Sequence, residues 1–139
     1  MMFSDRRVLV VEDNFLVSLG TTDMLESMGC AIVGPATSLT AACLVAESES
    51  LDAAILDIDI CGEVVWPVAE ELQRRKIPFL FLSAHRQAEG VPVPFAAAPH
   101  LQKPLEQSRL LGALAALWAH SCEARAISPS TKAVPRVPA

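Results

Sequence analysis

Three short runs, Val8 to Val11, Ala53 to Leu56 and Phe79 to Leu82, are apolar without interruption, and each stops on a polar residue: Glu12, Asp57 and Ser83. Such runs are short for a buried helix and fit strands covered on both faces, as in a parallel sheet with helices above and below it. Two weaker runs, Ala31 to Gly34 and Ala97 to Leu101, complete five strands. Longer stretches of helical spacing separate them. This alternation predicts an α/β fold of successive strand-helix units, with the three continuous runs at the centre of the sheet.

The helices can be placed from their apolar spacing and their ends. Phe15, Leu16, Leu19, Leu25 and Met28 recur at roughly helical intervals, and Gly29 supplies a C-terminus. Ser38 is the expected N-cap of a second helix reaching Glu47, and Pro67 fits the first turn of a third that ends near Lys76. A last helix, Leu105 to His120, carries Leu110, Leu111, Leu114, Leu117 and Trp118. The connection from Gln87 to Pro99 is different, because Pro92, Pro94 and Pro99 would break an ordinary helix, so a short or irregular fourth helix is expected there. Residues 121–139 have no apolar period and three prolines, and read as a flexible tail after a single domain at 5–120.

Composition narrows the function classes. A formal charge of −5, with no cluster of Lys or Arg, argues against a nucleic-acid partner. Trp66 and Trp118 then read as packing residues. Cys30, Cys43, Cys61 and Cys122 form no CxxC pair, so neither a zinc site nor a disulfide framework is indicated. No apolar run has the length of a signal peptide core or a membrane span, and a cytoplasmic location with no membrane partner is the expectation.

The polar residues carry the chemistry. Glu12 and Asp13 follow the first strand, Asp57 the third and Ser83 the fourth, while Lys103 stands two residues beyond the fifth. In a parallel sheet these C-terminal ends share one edge, where open α/β sheets bind ligands. Taken singly, each residue has a plain structural role: Glu12-Asp13 could favour a helix N-terminus, Asp57 and Lys103 could be solvated charges, and Ser83 could be a cap. Together they are expected to line one pocket. Three ionised carboxylates at close range raise a pKa or recruit a cation, and a divalent ion with Lys103 would neutralise them. Hard oxygen donors without His or Cys favour Mg²⁺, which usually also contacts a phosphate.

The motifs "VLVVEDN", "AAILDIDI", "FLFLS" and "QKP" occur in order, and with them residues 5–120 resemble the receiver domain of response regulators in bacterial two-component signalling. "GEVVWPVAEELQRRKIPFLF" and "CAIVGPA" further resemble the stand-alone FAT GUY type, although Phe81, Leu82, Ser83, Ala84 and His85 stand where that subgroup has F-A-T-G-Y. The resemblance implies a flavodoxin-like (βα)5 doubly wound parallel sheet of strand order 2-1-3-4-5. It also implies that Asp57 accepts phosphate from a histidine kinase or phosphotransfer protein. Mg²⁺ would be held by Asp13, Glu12, Asp57 and the backbone carbonyl of Asp59. Ser83, Ala84 and Lys103 would form the phosphate-binding and switch positions, with a cis bond between Lys103 and Pro104. Signalling would pass to an unknown downstream protein, or to a homodimer partner, through the surface of the fourth strand, fifth strand and last helix.

Two departures from the family pattern shape the switch. No tyrosine occurs anywhere in the chain, and the position three residues before Lys103 is His100. Movement of Ser83 is therefore expected to be relayed through His85, His100 or the proline-rich fourth segment. Two other functions compete with this reading. Asp57-Ile58-Asp59 imitates the DxD motif of haloacid dehalogenase-like phosphohydrolases, in which the first Asp is the nucleophile and the second a general acid and base. A degenerate receiver that binds its partner without phosphorylation is the other, and the complete set of acids, hydroxyl and lysine argues against it.

Overall fold

The computed structural model describes residues 3–84 and 90–127. Strands β1 (Arg7–Val11), β2 (Ala31–Ala36), β3 (Ala53–Asp57), β6 (Phe79–Ser83) and β7 (His100–Gln102) form one sheet in the order β2-β1-β3-β6-β7, every pair parallel. Helices α1 (Phe15–Ser27), α2 (Leu39–Ser48), α3 (Trp66–Arg74) and α4 (Gln107–Ile127) cover it. Two short strands, β4 (Asp59–Ile60) and β5 (Glu63–Val64), make a separate antiparallel hairpin. Leaving that hairpin aside, the strand order is the expected one.

The apolar runs are continuous because each strand feeds two cores. Val8, Val10, Ala53, Ile55, Leu80 and Leu82 pack with Leu25, Leu110, Leu114 and Trp118 under α1 and α4. Their neighbours Leu9, Val11, Ala54, Leu56, Phe79 and Phe81 pack with Ala42, Ala46, Val68 and Leu72 under α2 and α3. With a side-chain period of two, only an unbroken apolar run can serve both faces. β3 and β6 are buried at every position, whereas the edge strand β2 is largely exposed.

Local signals set the helix ends. Asn14 Oδ1 accepts the N–H of Val17 at 3.1 Å and caps α1, and Ser38 Oγ does the same for Ala41 at the start of α2. Gly29, at φ +94°, takes the left-handed turn after α1 and donates its N–H to Glu26 at 3.0 Å. Pro67 lies in the first turn of α3. In place of a fourth helix, the described part of the proline-rich segment holds one 3₁₀ turn, Val93–Phe95. Phe95 is buried and stacks on Trp66 at 6.0 Å, so this segment is pinned by an aromatic ring rather than by a helix face.

Several boundaries differ from the sequence reading. β2 continues past Gly34 to Ala36 through an irregular step in its register with β1, and the Gly34-Pro35 bond there is cis. β7 starts at His100 rather than Ala97, because Ala98 closes a further turn after the 3₁₀ turn by donating its N–H to the Phe95 carbonyl, and Pro99 has no N–H for a ladder. The last helix starts at Gln107 rather than Leu105 and continues past His120 to Ile127. No Gly or Pro stands between His120 and Ile127 to end it. The expected cis bond at Lys103-Pro104 is present. No described helix is long and apolar enough to cross a membrane.

Candidate functional site

The register of the sheet decides which strand ends meet. Val11 of β1 lies opposite Leu56 of β3, and Asp57 lies opposite Leu82 of β6. Glu12 and Asp13 thus leave β1 on one side of Asp57, and Ser83 ends β6 on the other. Gln102 of β7 pairs with Ser83, and the next residue, Lys103, donates its N–H to the Ser83 carbonyl at 2.8 Å. On the opposite flank, Glu12 donates its N–H to the Ala36 carbonyl at 3.0 Å, a contact made by the last residue of the extended β2.

Three carboxylates gather here. One oxygen each of Glu12, Asp13 and Asp57 lies within 4.8 Å of the others. Glu12 and Asp57 are buried, while Asp13 is exposed. Lys103 Nζ is their shared cation: it donates to Asp57 Oδ2 at 3.1 Å and to Glu12 Oε2 at 3.3 Å, and stands 3.1 Å from Glu12 Oε1. Burial would lower the Lys103 pKa, but its bonds to the Asp57 and Glu12 carboxylates outweigh this and hold it above the ordinary lysine value. Glu12 Oε1 is ion-paired yet has no hydrogen bond among the described residues. Burial first, and then the adjacent Asp57 carboxylate, push Glu12 up to about 7 against the pull of Lys103.

That shift predicts a pH dependence. An ordinary glutamate titrates near 4.5, so between 4.5 and about 7 the folded protein holds the Glu12 proton more tightly than the unfolded chain. Ionising Glu12 therefore costs folding free energy as the pH rises through that window, and nothing below it, where both states are protonated. Glu12→Gln cannot ionise. Relative to wild type, it is expected to gain about 2 kcal/mol of stability on going from about pH 5 to about pH 8, read from urea unfolding without divalent cations. A difference that is constant across the two pH values would contradict the shift.

The β4–β5 hairpin is the part of the site the sequence reading missed. Its turn is Cys61-Gly62, both at positive φ (54° and 82°), the geometry of a two-residue hairpin turn in which glycine is favoured. The Cys61 N–H donates to Asp13 Oδ2 at 2.8 Å, so the turn holds one metal-type carboxylate in place. The Gly62 N–H donates to Asp59 Oδ1 at 3.0 Å, and Asp59 itself donates its N–H to Asp57 Oδ1 at 3.4 Å. The Asp59 side chain thus closes the turn. A Gly four residues before an α3 that starts at Trp66 was the available signal, but two-residue strands are too short to show a period.

Ser83 is buried, and its Oγ lies 2.7 Å from His100 Nε2. Ala84 follows it, exposed at the surface. His85 lies outside the described residues, so of the two relay histidines only His100 is placed, and it is in contact with Ser83. Cys30, Cys43 and Cys61 are free thiols.

A family model described as the response regulator receiver domain matches residues 8–115. Among solved structures, the chain is similar to SdrG from Sphingomonas melonis Fr1, with 35% identity and a TM-score of 0.72 over 85% of this chain and 99% of that one. It is similar to the receiver domain of the PhyR response regulator from Erythrobacter litoralis, with 24% identity and a TM-score of 0.71 over 83% of this chain and 91% of that one. The receiver domain of the sensor histidine kinase PA1611 from Pseudomonas aeruginosa PAO1, solved with a magnesium ion coordinated in its active-site cleft, is 22% identical, with a TM-score of 0.70 over 82% of this chain and 98% of that one. The last two likenesses are of fold. No curated protein sequence matches. The phosphohydrolase reading of Asp57-Ile58-Asp59 gains no support from these likenesses, and Asp59 Oδ1 is engaged by the Gly62 N–H.

Proposed function

Because the chain belongs to the response regulator receiver domain family, we propose that it is a phosphoacceptor whose signal is the phosphorylation of Asp57. The observation that carries this reading is the Asp57 carboxylate itself, buried at the sheet edge with Lys103 Nζ at 3.1 Å and two further carboxylates beside it. A buried carboxylate placed for structure alone would sit in a cluster whose charges balance. This one sits in a cluster with more negative than positive charge, an arrangement that suits a cation and a phosphoryl group.

The donor is a histidine kinase or phosphotransfer protein. Transfer forms a bond between an Asp57 carboxylate oxygen and phosphorus and breaks the donor's phosphorus–nitrogen bond, whose electron pair stays on the donor imidazole. Lys103 is already within reach of Asp57 and exchanges its carboxylate contact for a phosphoryl oxygen, a charge-assisted bond. Ser83 offers a hydroxyl to another. Phe15 and Leu16, 73% and 74% exposed in the first turn of α1 beside Asp13, give a protein donor an apolar surface next to the reacting atoms.

The donor set also fits Mg²⁺. All of its side-chain donors are carboxylate oxygens, and Glu12 Oε1 is buried with no hydrogen bond among the described residues. Glu12, Asp13 and Asp57 would hold the ion, with the Asp59 carbonyl as a backbone donor. When bound, Mg²⁺ supplies charge neutralisation for the carboxylates and the incoming phosphoryl oxygens.

The test is direct. Wild-type protein incubated with Mg²⁺ and a small acyl phosphate is expected to gain a single phosphoryl group, located by peptide mass spectrometry on the fragment containing Asp57. Labelling elsewhere, or none, would overturn the assignment, and repeated release of phosphate from simple esters would instead favour a phosphohydrolase.

A further inference from the structure

We propose that His100 is a positioning residue for Ser83, its Nε2–H donating to Ser83 Oγ so that the serine hydroxyl proton is directed to a phosphoryl oxygen on Asp57. This deepens the phosphoacceptor reading and rests on it. The two side chains are 2.7 Å apart, and the register explains why. His100 is opposite Phe81, so its side chain shares a face with those of Phe81 and Ser83, and the ring reaches Ser83 diagonally across the β6–β7 pair.

The direction of the hydrogen bond follows from the other ring nitrogen. His100 Nδ1 is buried and has no hydrogen-bond partner among the described residues. In a neutral imidazole one nitrogen carries the proton. Were it Nδ1, a buried N–H donor would be orphaned. With the proton on Nε2, only an acceptor lone pair goes unpaired, the less costly and more frequent condition. Burial also holds the His100 pKa below the ordinary histidine value, which favours the neutral ring.

The consequence is directional. If imidazole were the acceptor, it would compete with the phosphoryl group for the Ser83 proton, and phosphorylation would have to break that bond. As donor it does the opposite. Ser83 Oγ accepts from His100, and its own proton goes to a different acceptor, with each bond polarising the next. His100 is thus more than a volume filler at a position where an apolar aromatic ring could pack.

Two measurements test this. Imidazole ¹⁵N shifts of the unphosphorylated wild type are expected to show the Nε2–H tautomer at His100, and the Nδ1–H form would overturn the proposal. His100→Phe keeps a ring but no donor, and should slow adduct formation from a small acyl phosphate about fivefold, the scale of one lost hydrogen bond. His100→Gln, whose amide can place a donor near the Nε2 position, should restore most of the rate. In a Ser83→Ala background the His100→Phe change should have no further effect. An equal slowing in that background, or a His100→Phe rate equal to wild type, would show that His100 does not act through Ser83. If wild type itself forms no adduct, the phosphoacceptor reading falls and this inference with it. A labelled wild type with a failed double-mutant cycle removes only the role of His100.

Discussion

Asp57→Asn is expected to abolish the phosphoryl adduct and, in the same protein, to raise folding stability. A carboxamide cannot form the acyl phosphate, so labelling by a small phosphodonor should fall to background. The stability gain has a separate cause. With its one oxygen turned to Lys103 Nζ, asparagine keeps that bond and gives up only the longer 3.4 Å contact from the Asp59 N–H, while it removes one negative charge from a trio of carboxylates held within 4.8 Å. Asp57 is also one of the groups that push Glu12 up to about 7, so its loss makes Glu12 cheaper to ionise at neutral pH. A gain of about 1 kcal/mol in urea unfolding without divalent cations is the expected size, smaller than the full repulsion because solvent reaches Asp13. Structural residues behave in the opposite way, since removing them costs stability. Loss of labelling accompanied by loss of stability would therefore place Asp57 among the residues that hold the fold rather than those kept for the reaction.

The parts of this fold and site that were legible in the sequence share a physical origin. β1, β3 and β6 were readable because a strand buried on both faces has no alternative to an unbroken apolar run, and the polar residue that ends each run marks the sheet edge. Glu12, Asp57 and Lys103 meet there as expected, because strand register in a parallel sheet brings C-terminal ends together. The Ser38 cap and the Gly29 terminus were readable because each relies on one residue's local chemistry. What was missed depends on neighbours distant in sequence. β2 reaches Ala36 only because β1 accepts an irregular step beside it. Asp13 is held by the N–H of Cys61, a donor 48 residues away in a turn with no periodic signal. Adjacent acids look alike in sequence, yet Glu12 is buried and Asp13 exposed, and the raised pKa of Glu12 follows from that difference. The contact of Ser83 with His100 required the β6–β7 register, although the unusual residue at position 100 was visible from the start.

Lys103→Met should be the most destabilising of the substitutions in the site. Methionine matches the length of the aliphatic stem but leaves Glu12 and Asp57, both buried, without their common cation. Breaking a buried pair by removing one partner generally costs about 3–5 kcal/mol, and the partial exposure of Lys103 places the expected loss nearer to about 2–3 kcal/mol at neutral pH. The loss should shrink on acidification, because the Glu12 pKa, already raised, rises further without the lysine and the carboxyl takes up a proton instead. It should also shrink when Mg²⁺ is added, since a divalent ion on the same carboxylates substitutes for the missing positive charge, and anything that binds only the folded state stabilises it. Phosphorylation should be slowed even where Mg²⁺ restores the fold, because the ammonium that pairs with the phosphoryl oxygen has no replacement. Urea unfolding of wild type and variant at about pH 5 and about pH 8, with and without Mg²⁺, separates these effects. If the variant were equally destabilised under all four conditions, the cost would lie in packing of the side chain. The electrostatic account of the site, with one lysine balancing carboxylates kept for a cation and a phosphoryl group, would then be wrong.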